Sequence, residues 1–324
     1  MKKKLIFVTA NTVGGVLDYT NSLASIFKKK NEIKVIKTNK KKNIIKNNNF
    51  NKSNIVILQY SGYGFANKGA PFWLLKEIIS LKKKVKKIIV IFHELYAVSY
   101  YPWKSAFWMQ CFQKFIFKKL LKISDYAVIT TKHNFNKYSI SNNNKKIIYL
   151  PIISSVGEMI KFKHKKENLI VVFGLSNTRT NTYKKFGINL FIWAKINKFK
   201  IIDVGPKITD LDILDSLKKN NVQKLGLLKT KRINYLFKKA KYGLLDYNLK
   251  FVDKSSVLNT YGAYGVIPII NDNKRTSLVL KKNFHYLSSL PKSINKNNQI
   301  SKNIWNWYQT HNLLKTTNKI SNLF

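Results

Sequence analysis

One cysteine, Cys111, occurs in 324 residues, so neither an internal disulfide nor a cysteine-based zinc site is open to the chain. A reducing cytoplasm is the default compartment. Arginine is almost as scarce: Arg179, Arg232 and Arg275 are three of 60 basic residues, the rest being lysines scattered among asparagine and isoleucine. Base-edge and phosphate recognition favour the bidentate arginine fork, which argues against a specific nucleic-acid binder. Acidic residues number 14 and leave a formal charge of +46, a surface drawn to anionic membranes and to phosphorylated substrates. No run reaches the roughly 20 apolar residues that span a bilayer. The opening MKKKLIFVTA has too short an apolar run for a signal-peptide core and reads as a first strand. The chain therefore reads as soluble or peripheral. Gly14-Gly15 lacks the spaced third glycine of a dinucleotide fingerprint and no GK[ST] occurs, which lowers dehydrogenases and kinases.

What is present alternates. Apolar runs at 5–9, 55–59, 88–92, 126–129 and 147–150 read as strands, and Val16, Tyr19, Leu23 and Phe27 mark one face of an intervening helix. The asparagine-lysine stretch 37–54 reads as a solvated loop. A polar segment at 151–168 interrupts the pattern, which then restarts with strands at 169–173 and 200–204 and helices at 190–196, 211–217 and 235–240. Between the first of these strands and helices, SNTRTNTYKKFG reads as a polar loop carrying Arg179. Two successive alternating halves predict an α/β class: two doubly wound Rossmann-like domains facing a cleft. They are expected at 1–160, the acceptor side, and 161–324, the nucleotide-sugar side. The tail 300–324, with Trp305 and Trp307, is expected to pack back on the first.

Candidate chemistry sits at predicted strand ends. The stretch YGLLDYNLKFVDKSSVLNTYGAYGVIPIIN reads as strand, loop, helix and strand, with Ser255 as cap, Gly265 as stop, and Pro268 marking a strand start or a sheet edge. Lys254, Ser255 and Ser256 then lie at a helix N-terminus, where N–H groups, hydroxyls and an ammonium suit phosphate; an ordinary capped surface helix fits the same residues. His93 and Glu94 follow a central strand and, as neighbours on a strand, point oppositely, so one of them is available to share an acceptor proton. Asp210 and Asp212 form a DxD string at a helix start, which reads as capping rather than metal binding. The segment 102–123 predicts a helix with Trp103, Phe107, Trp108, Cys111, Phe112, Phe115, Ile116 and Leu120 on one side and lysines around it. It fits a core helix or a membrane-facing one.

Four stretches together resemble a family. GGVLDYTNSLA, FHELYA with the following PWKSAFW, VVFG with Arg179, and KSSVLNTYGAYGVIPI look like bacterial GT-B glycosyltransferases of the group that builds surface polysaccharides, including lipopolysaccharide. The resemblance spans nearly the whole chain. It implies a nucleotide-sugar donor held mainly by the second domain, an acceptor held by the first, and transfer without an obligatory metal or other cofactor. By position, Gly14 and Gly15 match the glycine loop that approaches the donor. Lys254 with Ser255 and Ser256 matches the donor-binding segment, and Arg179 is a further donor contact. Retaining members carry two glutamates eight positions apart near this segment, whereas here Asp253 is followed eight positions later by Tyr261.

The expectation is a cytoplasmic glycosyltransferase, peripheral at the inner face of the membrane, acting on a lipid-linked or polysaccharide acceptor. Its chemistry needs cations and helix starts for the departing diphosphate, and His93 or Glu94 near the acceptor hydroxyl. The alternative is a non-catalytic nucleotide- or glycan-binding protein on the same fold.

Overall fold

The structure is a computed structural model describing residues 2–11, 14–38, 44–45, 48–139, 146–163, 166–272, 276–293 and 297–324. Residues 39–43 and 46–47 of the stretch expected as a solvated loop, together with His164 and Arg275, lie outside them; of its described residues, Lys37 and Thr38 end a strand, Asn54 begins another and Ile44 is buried in the core, so the stretch is not a solvated loop throughout. The chain divides into two compact units, Met1–Pro151 with Leu313–Phe324, and Ile152–Asn312.

The first unit runs β1 (Lys4–Ala10), α1 (Gly15–Phe27), β2 (Glu32–Thr38), β3 (Asn54–Tyr60), α2 (Gly62–Phe65), α3 (Phe72–Lys82), β4 (Lys87–Phe92), α4 (Ser105–Ile123), β5 (Tyr126–Ile129), α5 (Lys132–Ser139) and β6 (Ile147–Tyr149). Its strands form one parallel sheet ordered β2-β1-β3-β4-β5-β6. Strands buried on both faces need continuous apolar runs, and every residue of NIVILQY in β3 is buried. One face joins Val8, Leu58 and Val90 to Ile78 of α3 and to Ile116 and Phe117 of α4 in a single core. The other receives α1, with Phe7 and Phe27 rings 6.2 Å apart.

The helix α4 corrects the sequence expectation. Its buried face is Gln113, Ile116, Phe117, Leu120 and Leu121, whereas Trp108, Cys111, Phe112 and Phe115 are exposed. The side dense in aromatic rings is therefore the outer one. A smaller set with aliphatic branches fits under the sheet, and Gln113 binds the main chain at Lys68 O (2.9 Å) and Ala97 N (2.6 Å).

The second unit runs β7 (Glu167–Phe173), α6 (Ser176–Ile196), β8 (Lys200–Val204), α7 (Leu211–Lys219), β9 (Gln223–Lys224), α8 (Thr230–Lys239), β10 (Ala240–Leu245), α9 (Ser256–Tyr264), β11 (Ile267–Ile270) and α10 (Asn298–Gln309). These strands also run parallel, ordered β11-β10-β7-β8-β9. Pro268 thus stands on an edge strand, where its missing N–H breaks no ladder. Residues 176–187 are helical rather than a loop. Arg179, Thr182, Tyr183, Phe186 and Leu190 are buried along α6, so polar residues make the first turns of its inner face. The helix breaks only at Gly187 (φ 58°, ψ −156°).

The segment after Pro151 lies along the second unit. Ser154 N–H donates to Tyr308 Oη (3.1 Å), which donates to Glu158 (2.8 Å), and Met159 N–H donates to Ala263 O (3.1 Å). The tail divides: α10 belongs to the second unit, whereas α11 (Leu313–Ser321) belongs to the first. Phe324 packs on Phe27 of α1 at 5.3 Å, and Lys87 donates to Leu323 O at 2.9 Å.

Lys166 ties two helix ends together. Its ammonium donates to the carbonyls of Phe237 and Lys238 at the end of α8 (3.3 Å each) and of Tyr264 at the end of α9 (2.7 Å). Burial lowers it from 10.5 to about 8. Between these values the unfolded chain holds a proton that the folded chain lacks, so this residue's contribution rises as pH rises through that window. Urea unfolding at pH 7.5 and 9.5 should show a larger gain for the wild type than for Lys166→Met; equal gains would mean the ammonium titrates normally.

Candidate functional site

In each parallel sheet the loops at the carboxyl ends of the strands are the natural place for a ligand, above all where the strand order reverses. In the second unit that point lies between β7 and β10. Beside it, the loops after β7, β8 and β9 each turn through a glycine of positive φ: Gly174 (133°), Gly205 (151°) and Gly226 (63°). Gly174 N–H donates to Val204 O (3.2 Å) and Gly205 N–H to Gly226 O (3.0 Å), which draws the three loops into one surface. A Cβ at Gly205 would lie 2.1 Å from Gly174 O and 2.7 Å from Arg179 Nε, so no other residue fits there.

Arg179 holds this surface from below. Its side chain is 1% exposed, and Nε donates to Gly174 O (2.9 Å) while Nη1 and Nη2 reach Asp203 and Pro206 O. Asp203 also accepts from Tyr183 Oη (3.1 Å), whose phenol burial pushes well above its ordinary range. Arg179 is expected to contact a donor; here its side chain is buried, with Nε, Nη1 and Nη2 each bonded inside the protein, and it shapes the loops.

Beside them opens a cavity of about 630 Å³ lined by Gly205, Pro206, Ile208, Leu214 and Leu227, with Lys207, Lys218 and Lys224 and the carboxylates Asp203 and Asp215 at its wall. Its size falls in the range of small-molecule sites, roughly 300–1,000 Å³. Apolar walls with a few cations suit a ligand that is part ring and part anion. Gly174, whose carbonyl lies against Gly205, also approaches the start of α9, since a Cβ there would meet Val257 at 3.1 Å.

The start of α9 has the cap expected. Ser255 Oγ accepts from Leu258 N–H (3.2 Å), and Gly265 closes the helix in the left-handed conformation (φ 61°). Ser256 is half-buried, and Lys254 is half-exposed with its ammonium 5.9 Å from the Phe251 ring. Asn259 braces the turn, donating to Asp253 O (3.0 Å) and Ser255 O (2.9 Å), while its Oδ1 meets His311 Nε2 at 2.8 Å. Tyr261, eight residues after Asp253, points into the core. It is fully buried, its hydroxyl reaches Val171 O (3.2 Å) and Leu244 O (2.9 Å), and its ring leaves no space for a Cβ at Gly243.

In the first unit the order reverses between β1 and β3. Gly14, with φ 147°, precedes α1, and Gly15 is its exposed first residue. Beside them, Gln59 Oε1 can only accept, so His93 Nε2, 2.8 Å away, carries the ring hydrogen. Tyr19 stands edge-on to the His93 ring at 5.0 Å. Thr9 Oγ1, Tyr19 Oη and Gln59 Nε2 are buried with no partner among the described residues. Polar groups in that state are uncommon. Glu94 is exposed and accepts from Ser61 Oγ at 3.1 Å. His93 and Glu94 thus face different surroundings, one internal and one solvated.

Asp210 caps α7, accepting from Ile213 N–H (3.1 Å), and pairs with Lys184 (2.6 Å), whose hydrogen bond lowers the carboxyl's pKa. Among the described residues no group of three or more His, Cys, Asp or Glu is placed to hold a metal. Sequence reading does not single out Asp203, Gly205, Gly226 or Gln59. The available signals are a glycine directly after each of two apolar strands, and a glutamine inside a run of seven buried residues.

Sequence comparison matches no family model and no curated protein. Solved structures do match along the whole chain. Anabaena HepE in complex with UDP-glucose matches with a TM-score of 0.60 at 8% identity, over 99% of this chain and 98% of that one. AviGT4, a glycosyltransferase involved in avilamycin A biosynthesis, matches at 0.56 and 8%, over 99% and 96%. A Listeria monocytogenes structure described as a UDP-N-acetylglucosamine 2-epimerase matches at 0.55 and 9%, over 99% and 95%. The fold is therefore GT-B, two Rossmann-like units, as the resemblance implied.

Two substitutions test the arrangement. Asp203→Asn leaves the Arg179 charge buried without a counterion and should cost about 3–5 kcal/mol in urea unfolding; a loss below about 1 kcal/mol would show the loops do not depend on the pair. Gln59→Leu should shift the His93 ring hydrogen away from Nε2, visible in 15N spectra of the imidazole, with the fold retained; an unchanged tautomer would mean another group sets it.

Proposed function

We propose that the protein is a glycosyltransferase that moves a sugar from a nucleotide-sugar donor to a glycan or lipid-linked acceptor. It would act in the cytoplasm, at the face of an anionic membrane, in the synthesis of a surface polysaccharide. The observation that carries this reading is the second unit's cavity, apolar within and with Lys207, Lys218 and Lys224 at its wall, in the unit that also holds the capped start of α9. A base and ribose fit the apolar part. The diphosphate charge is met by the helix start with Lys254 and by the cavity lysines, so that no metal is required.

Transfer joins the acceptor oxygen to the anomeric carbon as the bond from that carbon to the diphosphate breaks, and the acceptor hydroxyl gives up its proton. His93 and Glu94 are the groups of the first unit assigned to that proton and to the acceptor, with Gly14 and Gly15 approaching the donor. Arg179 has no direct part. HepE, of the same fold, was solved with UDP-glucose, which favours a uridine nucleotide among the donors to be tried. A binding protein without turnover is the second reading, favoured by Tyr261, whose place in the core leaves the acidic pair of retaining enzymes incomplete.

A thermal-shift panel of UDP-, GDP-, ADP- and CMP-sugars should single out one nucleotide, and release of nucleoside diphosphate on adding acceptor then separates transfer from binding. Calorimetry should show Lys254→Ala weakening the nucleoside diphosphate by about 2 kcal/mol while leaving the nucleoside almost unaffected. Unchanged diphosphate affinity in a folded variant would place the donor elsewhere.

A further inference from the structure

The outer face of α4 and the loop before it carry a surface that neither unit's core explains. Trp108, Phe112, Phe115 and Lys119 follow one another along an exposed stripe at helical spacing, opposite the buried face. Phe72 of α3 extends it, 6.0 Å from Phe112 and 6.4 Å from Phe115. At the start of the helix Trp103 is 78% and Tyr100 83% exposed, and Trp108 Nε1 donates to Pro102 O (2.8 Å), which holds its indole against the loop. From Leu95 to Ser124 there is no aspartate or glutamate, while Lys104, Lys114, Lys118, Lys119 and Lys122 are spread through it. Exposed rings of this number are unusual on a soluble surface.

We propose that this face docks on an anionic lipid bilayer, with α4 lying in the interface plane, the indoles at headgroup depth and the phenylalanines below them. Charge complementarity selects this occupant. Lysines among the rings find phosphate and carboxylate headgroups, and the rings bury carbon that water covers otherwise. A second copy of the chain would bring two formal charges of +46 together, which opposes association through this lysine-rich face. The surface belongs to the first unit alone, so it stands whether or not the chain transfers sugar.

The test must separate insertion of rings from attraction of a basic protein to any anionic surface. Trp103 and Trp108 are the exposed members of six tryptophans, so quenching of tryptophan fluorescence by brominated phosphatidylcholine within vesicles reads this face. With phosphatidylserine–phosphatidylcholine vesicles, flotation should persist at ~0.5 M NaCl, where the screening length has fallen to a few ångströms. Trp103→Ser with Trp108→Ser and Phe112→Ser should remove the salt-resistant flotation, and Phe112→Ser with Phe115→Ser, which keeps both exposed tryptophans, should reduce their quenching, while the melting temperatures stay close to that of the wild type. Lys104, Lys114, Lys118 and Lys119 changed to Gln should weaken low-salt binding by more than about tenfold. The proposal is overturned if high salt abolishes all flotation, or if the variant lacking Trp103, Trp108 and Phe112 floats at high salt as the wild type does. It fails equally if these same substitutions abolish single-stranded RNA binding or self-association in sedimentation while leaving vesicle binding unchanged.

Discussion

The buried pair of Arg179 and Asp203 is the interaction on which the candidate donor site depends. Two charges taken out of water are tolerated only when every remaining hydrogen-bonding direction is met. Here Gly174 O and Pro206 O each accept a further hydrogen bond from the guanidinium, and Tyr183 donates to the carboxylate. Because the acceptors are main-chain carbonyls on two separate loops, the charge pair also fixes where those loops run. Gly205 follows from that, since the loops pass too close for any side chain, and the cavity follows from Gly205, Pro206 and Asp203 forming part of its wall. A buried arginine thereby sets the shape of the cavity beside it.

Alternation of apolar runs is a strong signal, and the parallel strands with their order of appearance were legible in it. Strands such as 88–92 are buried on both faces, so their composition admits little else. The cap at Ser255 and the stop at Gly265 were legible for a similar reason, as each rests on local backbone chemistry. The inner faces of α4 and α6 were not. In α4 the larger rings lie outside and the core takes Gln113, because a main-chain carbonyl and N–H wait there for an amide. In α6 the core side opens with Arg179 and Thr182, residues that read as loop until buried Asp203 pairs with the first and Asp246 N–H donates to the hydroxyl of the second. Both depend on pairings far apart in sequence, which no local pattern carries.

The two units solve the same problem with different chemistry. At the carboxyl ends of the second unit's strands, polar groups are saturated by one another and the open space is the cavity beside them. In the first unit the corresponding groups are incompletely matched: His93 is held by Gln59, while Thr9, Tyr19 and the Gln59 amide nitrogen keep unused capacity.

The division of the tail has a consequence for how the chain is made. Residues 313–324 complete the first unit, covering α1 with Phe324 and binding Lys87 through Leu323, yet they are translated after the whole of Ile152–Asn312. Synthesis at ~5–20 residues per second therefore leaves the side of α1 that receives Phe324 uncovered for roughly 8–30 seconds while the second unit emerges. The first unit to leave the ribosome is thus the last to be finished, and the interval falls on a chain whose lysines keep such intermediates apart by repulsion.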